Sequence, residues 1–155
     1  MTAPTEKTLP LGTSDFAALR NSNEIYIDKT ALIYELASVR SKIFISRPRR
    51  FGKSLLVSTF ESLFKNGLRD FSDLKIEKLW KDKTYPVVRL DFSDLKDLPS
   101  AEEFQKSLRS MIATAFAAIG FRYDPANTVS LFLDQFKLWL STLETNSFVL
   151  LIDEY

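Results

Sequence analysis

Two short runs hold most of the reactive chemistry in this 155-residue chain. The first is Arg47-Pro48-Arg49-Arg50-Phe51-Gly52-Lys53-Ser54, which matches the second half of the phosphate-loop pattern G-x-x-x-x-G-K-[ST]. Gly52 has no Cβ, so the backbone there can curl around a phosphate. The amides that follow, at a helix N-terminus, supply oriented donors and partial positive charge. Lys53 can reach the β- and γ-phosphates, and the Ser54 hydroxyl can ligate Mg²⁺. The pattern's first glycine is replaced by Arg47, and Pro48 removes an amide donor. Arg49 and Arg50 can compensate by pairing with phosphate directly. Gly-Lys-Ser/Thr by itself arises by chance in roughly one chain of this length in ten. The competing reading is therefore a basic surface turn before an amphipathic helix. The second run, Phe148 to Ile152, is apolar and ends in Asp153-Glu154. Such an aspartate holds Mg²⁺, usually through water, and such a glutamate orients the attacking water. A solvated strand end is the competing reading here.

Composition narrows what else is possible. With no cysteine and no histidine, disulfide scaffolds, thiolate chemistry, imidazole zinc sites and His-dependent triads are excluded. Lys and Arg number 21 against 20 Asp and Glu, so the whole molecule makes no electrostatic case for nucleic acid or anionic membrane. The charge is unevenly spread, however. Between Glu35 and Glu61 there is no acid, while Arg40, Lys42, Arg47, Arg49, Arg50 and Lys53 fall in that interval. This interval can hold a polyanion, but little aromatic surface is interleaved and no nucleic-acid module is recognised. Met1 to Pro10 lacks the apolar core of a signal peptide, and Met111 to Phe121 falls far short of the roughly 20 residues a membrane span needs. The expectation is a cytoplasmic protein.

The elements that must position these residues follow from periodicity. Met1 to Thr8 reads as a tail. Ser14 to Arg20 predicts a short helix with Phe16 and Leu19 facing in, and Glu24 to Ile27 a short extended piece. Asp28 or Thr30 caps a helix whose Leu32, Ile33 and Leu36 share a face. Tyr26, Asp28, Lys29 and Thr30 form a polar cluster for which capping is the plain explanation. Lys42 to Ser46 predicts a buried strand ahead of the glycine loop. A helix follows, with Leu55, Leu56, Thr59, Phe60, Leu63 and Phe64 on one face and Gly67 at its end. Pro86 to Phe92 predicts a second strand. Asp91, at its end near Ser93 and Asp94, reads as a turn acid. Ser100 to Glu103 is a capping box for a helix carrying Phe104, Leu108, Met111, Ile112, Ala115, Phe116 and Ile119. Another helix presents Phe132, Phe136, Trp139, Leu140 and Leu143. Phe148 to Ile152 is the third strand, and Trp80 and Trp139 read as packing residues. Alternating strands and helices predict an α/β fold with a parallel sheet, whose functional groups collect at the carboxyl ends of the strands.

Five segments together resemble a known family: Leu9-Pro-Leu-Gly-Thr-Ser-Asp-Phe16, Tyr26-Ile-Asp-Lys-Thr30, Arg47 to Ser54, Tyr85-Pro-Val-Val-Arg-Leu-Asp-Phe92 and Leu151-Ile-Asp-Glu-Tyr155. They resemble the bacterial AAA-ATPase-like family, whose members often carry a PD-(D/E)XK nuclease-like domain downstream. Arg-Pro-Arg-Arg-Phe-Gly-Lys-Ser is that family's form of the phosphate loop. The resemblance implies a P-loop NTPase-type three-layer fold over residues 9–155, ending after the acidic (Walker B) strand. It implies ATP and Mg²⁺ as ligands. Arg49, Arg50, Phe51, Gly52, Lys53, Ser54 and Leu55 would contact the nucleotide, Ser54 and Asp153 the metal, and Glu154 would be the catalytic base. The fourth strand of such ATPases, its γ-phosphate sensor and an arginine finger have no counterpart. The chain is thus expected to be an N-terminal portion, weak in hydrolysis and prone to self-association or to pairing with a missing C-terminal part. The alternative is a non-catalytic interaction module whose arginine-rich loop binds nucleic acid or an acidic partner.

Overall fold

A computed structural model describes residues 7–39, 41–46, 48, 50–129 and 131–154, the side chain of Asp94 excepted. The chain divides into two compact units, one running to Thr84 and the other beginning at Tyr85.

In the first unit, Asp15 accepts a hydrogen bond from the Ala18 amide and starts α1 (Phe16–Asn21). Phe16 and Leu19 are buried, as their spacing predicts. Glu24 makes an isolated parallel bridge with Thr8. Helix α2 (Thr30–Ser38) has Lys29 at its N-cap with no side-chain cap bond. The capping chemistry comes from one residue earlier: Asp28 Oδ1 accepts from both the amide and the hydroxyl of Thr30, at 2.8 and 2.6 Å. Ile33 faces the core, but Leu32 is 55% exposed and leaves the predicted face.

Helix α3 (Lys53–Asn66) buries Thr59, Phe60 and Leu63 and stops where Gly67, at φ 64°, donates back to the Leu63 carbonyl. The chain then folds back through Phe71 and Leu74 into a 3₁₀ turn, Lys75–Lys78. Side chains tie these distant segments together. The Phe16 amide donates to Ser58 Oγ at 2.6 Å, and Arg20 donates to the carbonyls of Asp70 and Ser72. The fully buried Thr30 hydroxyl accepts from the Ile76 amide at 3.1 Å, and Asp28 Oδ2 accepts from the Lys75 amide at 2.9 Å. The polar cluster therefore does more than cap a helix: it docks the 3₁₀ turn against α2.

One predicted element is absent. Lys42 to Ser46 has no strand conformation, and Ile43 and Phe44 are 43% and 73% exposed. A short apolar segment becomes a strand only by pairing, and the sheet's two strands pair with each other and not with it. The glycine loop is thus launched from an irregular segment, contrary to the expected strand-to-helix junction.

The second unit is built on that sheet, of β1 (Val87–Asp91) and β2 (Val149–Asp153), parallel as predicted and in register from Val87↔Val149 to Asp91↔Asp153. Helix α4 (Ala101–Ala117) starts at Ser100, whose hydroxyl accepts from the Glu103 amide, and packs on β1. Helix α5 (Phe132–Ser141) follows. Val88, Leu90, Phe116, Phe121 and Phe132 form the core, with Phe136, Trp139 and Phe148 packed against it. Many aromatic rings meet edge to face, as for Phe116–Phe136 at 4.8 Å and Phe121–Phe136 at 5.1 Å, whereas Phe136 stacks on Phe132 and Trp139. The loop before α5 is pinned by Gln135, which donates to the Asp124 and Val129 carbonyls and accepts from the Asp124 amide.

Two measurements test the first unit. Thr30→Val keeps the shape but strands the buried Ile76 amide, and should lower unfolding free energy by about 1–3 kcal/mol in a urea titration. The second concerns acid. Burial alone would raise the Asp70 carboxyl, but hydrogen bonds from Arg69, Ser62 and Asn66 outweigh it and hold its pKa below the ordinary 3.8. Asp28 is likewise lowered, its burial outweighed by Thr30 and the Lys75 amide. The unfolded chain then takes up these protons first, so stability is full above 3.8 and falls as pH drops through the lower folded values. Asp70→Asn should flatten that acid-side loss.

Candidate functional site

The glycine loop takes its shape from two left-handed residues. Arg50 has φ 67° and Gly52 has φ 72°, and Gly52 is the N-cap of α3. No side chain of that cap closes the helix end. The first helical bond runs from the Leu56 amide to the Gly52 carbonyl, so the helix provides no partner for the amides of Lys53, Ser54 and Leu55. A Cβ placed on Gly52 would meet nothing within 4 Å, so the space beside Gly52 itself is open. Lys53, Ser54 and Leu55 are half-buried at the start of the helix, whereas Arg50 and Phe51 are exposed, Phe51 at 64%. Arg47 and Arg49 lie outside the described residues. This arrangement of amides, one lysine and one hydroxyl at the start of a 14-residue helix is chemistry for an anion.

The acidic strand end belongs to the other unit. Asp153 is nearly inaccessible, its side chain 4% exposed. Its Oδ2 accepts from Arg89 Nη2 at 3.0 Å, and its Oδ1 accepts from the Glu154 amide at 3.1 Å. Glu154 has φ 57°, a conformation that strains a residue with a Cβ. Its carboxylate pairs with Lys96 Nζ at 2.5 Å. Asp91 stands opposite Asp153 in the register and accepts from the Ser93 amide at 2.9 Å. Hydrogen bonds from Ser93, helped by the nearby Arg89 and Lys96 charges, hold the Asp91 carboxyl below its usual range. It is the turn acid that the sequence suggests, yet it lies at the same end of the sheet as Asp153.

The structure thus brings Asp153 and Glu154 together with two cations that the sequence reading did not single out, Arg89 and Lys96. Arg89 had a visible signal: it is a charged residue in the apolar run Val87-Val88-Arg89-Leu90, at an alternate position to the buried Val88 and Leu90. Lys96, on an irregular stretch, had none. Among the described residues no group of three or more acids gathers to hold a metal. One carboxylate suffices for Mg²⁺ when phosphate oxygens and water complete its shell, so the donor chemistry of Asp153 and of Ser54 fits that ion. A hollow of about 270 Å³ lined by Pro86, Ala118, Ile119, Leu143 and Phe148 lies at the opposite end of the strands and is not part of this chemistry.

The model of a family described as "Predicted AAA-ATPase" matches residues 10–155. An "Uncharacterized protein in vnfD 5'region" of Azotobacter chroococcum mcd 1 is 38% identical over 88 residues, 56% of this chain. The match spans 17% of that protein's length. No solved structure matches. Among the described residues, no helix is long and apolar enough to cross a membrane.

The left-handed turn at Gly52 is testable without any ligand. Gly52→Ala has room for its methyl group, so its cost should be backbone strain alone, about 1 kcal/mol. Gly52→Asn should lose less, since asparagine tolerates this conformation. Urea midpoints of the two variants against wild type decide it, and equal loss would show that something other than φ governs the turn.

Proposed function

The chain belongs to the AAA-ATPase-like family, and on that footing we propose that it is the ATP- and Mg²⁺-binding part of an ATPase with a P-loop type of fold. The observation that carries this reading is the start of α3: a left-handed glycine cap followed by amides for which the helix has no partner, then Lys53 and Ser54. Phosphate oxygens would accept from the amides of Lys53, Ser54 and Leu55 and from the Lys53 ammonium. Arg49 and Arg50, with Phe51 beside them, would hold the outer face of the nucleotide. The Ser54 hydroxyl would be a Mg²⁺ ligand beside the phosphates, and the Asp153 carboxylate is assigned to the same ion by its donor chemistry alone. Glu154 is assigned to orienting the attacking water.

Turnover by this chain should be weak. Asp153 and Glu154 are each engaged by a cation, Arg89 and Lys96, and a glutamate held by an ammonium at 2.5 Å is a poor acceptor for a water proton. A second reading is favoured by one observation, the exposure of Phe51 and Arg50 side by side. An exposed aromatic next to a guanidinium suits a polyanion or an acidic partner as well as a nucleotide.

Binding of a fluorescent ATP analogue separates these readings. Lys53→Ala should weaken nucleotide binding by at least about tenfold, through loss of a charge-assisted contact, with an unchanged far-UV spectrum. Equal affinity in wild type and variant would remove the proposed site. Replacing both Arg49 and Arg50 with Ala should reduce affinity and flatten its dependence on salt. If DNA binding alone responds to that pair, the interaction-module reading prevails.

A further inference from the structure

We propose that the hollow of about 270 Å³ at the starting end of the two strands is a binding site for a small neutral molecule. Its ligand has an apolar body of ring size and one oxygen that pairs with the Ser147 hydroxyl. The inference is independent of the nucleotide reading.

An orphan hydroxyl carries this assignment. Ser147 Oγ is buried, and among the described residues it has no hydrogen-bond partner. A buried polar group left unpaired costs free energy, so it calls for a partner. Ser147 lines the hollow together with Pro86, Ala118, Ile119, Leu143 and Phe148. Nearby backbone is already engaged: the Ser147 amide donates to the Glu144 carbonyl, and the Pro86 carbonyl accepts from the Val149 amide. Water is a poor substitute. A buried water needs about two to four polar partners, and the lining side chains offer it only this hydroxyl.

The rest of the lining sets the ligand's chemistry. Apart from Ser147, every lining side chain is apolar. None is charged, so an ionised ligand would lose its hydration there without compensation. An apolar cavity of about 150 Å³ holds one benzene ring, so about 270 Å³ accommodates a ring with a short substituent. One wall is also preformed. Phe148 is packed against the core, its ring edge-on to Phe116 at 5.8 Å. Ala118 is exposed, which leaves a way in from solvent.

The experiment titrates the full chain, labelled with ¹⁵N, with 4-methylphenol and with toluene. Both probes should shift the amide signals of Ser147, Phe148 and Ile119 saturably. Ser147→Ala should weaken 4-methylphenol roughly fivefold, the worth of one neutral hydrogen bond, and leave toluene unchanged. Ala118→Phe fills the hollow without touching the hydroxyl, and should abolish binding of both probes with the far-UV spectrum kept. No saturable shift at these amides in wild type would overturn the site. An equal effect of Ser147→Ala on the two probes would overturn the role of the hydroxyl and the ligand chemistry drawn from it. N-acetyltyrosinamide carries the same phenol as a protein side chain does. Tighter binding of that probe than of 4-methylphenol would overturn the free small molecule in favour of a partner's tyrosine. None of these outcomes depends on ATP binding.

Discussion

Parallel strands cannot be joined by a tight turn, and most of the second unit follows from that constraint. β1 and β2 run the same way, so the chain leaving Asp91 must travel back the full length of the sheet before Val149 can begin. The return path is α4, the Gln135-pinned loop and α5, and it covers the sheet with Phe116, Phe121 and Phe132. The same directionality puts both strand ends at one edge, so that Asp91, Asp153 and Glu154 arrive together with Arg89 and Lys96. An antiparallel pair would have placed Asp91 and Asp153 at opposite ends. The concentration of charge at one edge is therefore a product of topology as much as of composition.

The first unit solves a different problem. Among its described residues there is no sheet, apart from the isolated bridge of Thr8 with Glu24. Its short helices are marginal on their own, α1 having only 6 residues. Polar side chains take the place of a strand ladder. Ser58, Thr30, Asp28 and Arg20 each bond to backbone groups far along the chain. Such bonds are directional, and the one from the Phe16 amide to Ser58 holds the start of α1 against α3.

Much of this was legible in the residues, and the failures have physical causes. Periodicity located α3, α4 and α5, Ser100 announced its cap, and Gly67 its stop, because all of these are local signals within a few residues. The parallel pair was readable from two apolar runs separated by helices. The segment Lys42 to Ser46 was not, since its composition is that of a strand and only the absence of a neighbour decides otherwise. Leu32 reads as a core residue by spacing, but α2 meets its neighbours on a narrower stripe centred on Ile33. The glycine cap was plain from Gly52-Lys53-Ser54. The ion pairs at the strand end were not, because they join residues 58 and 64 positions apart that only the register brings near.

The long reach of the polar ties in the first unit also bears on how the chain is made. Ser58 is 42 residues from Phe16, Lys75 is 47 from Asp28, and Ser72 is 52 from Arg20. A ribosome delivers α1 and α2 well before any of these partners has left the exit tunnel. Neither helix is long enough to hold itself together in the meantime. The nascent unit must therefore wait, largely unstructured and with Phe16 and Ile33 unsheltered, until the turn at Lys75 to Lys78 emerges. Only then can it close, because the bonds of Thr30 and Asp28 to the 3₁₀ turn are non-local and local helix formation cannot replace them.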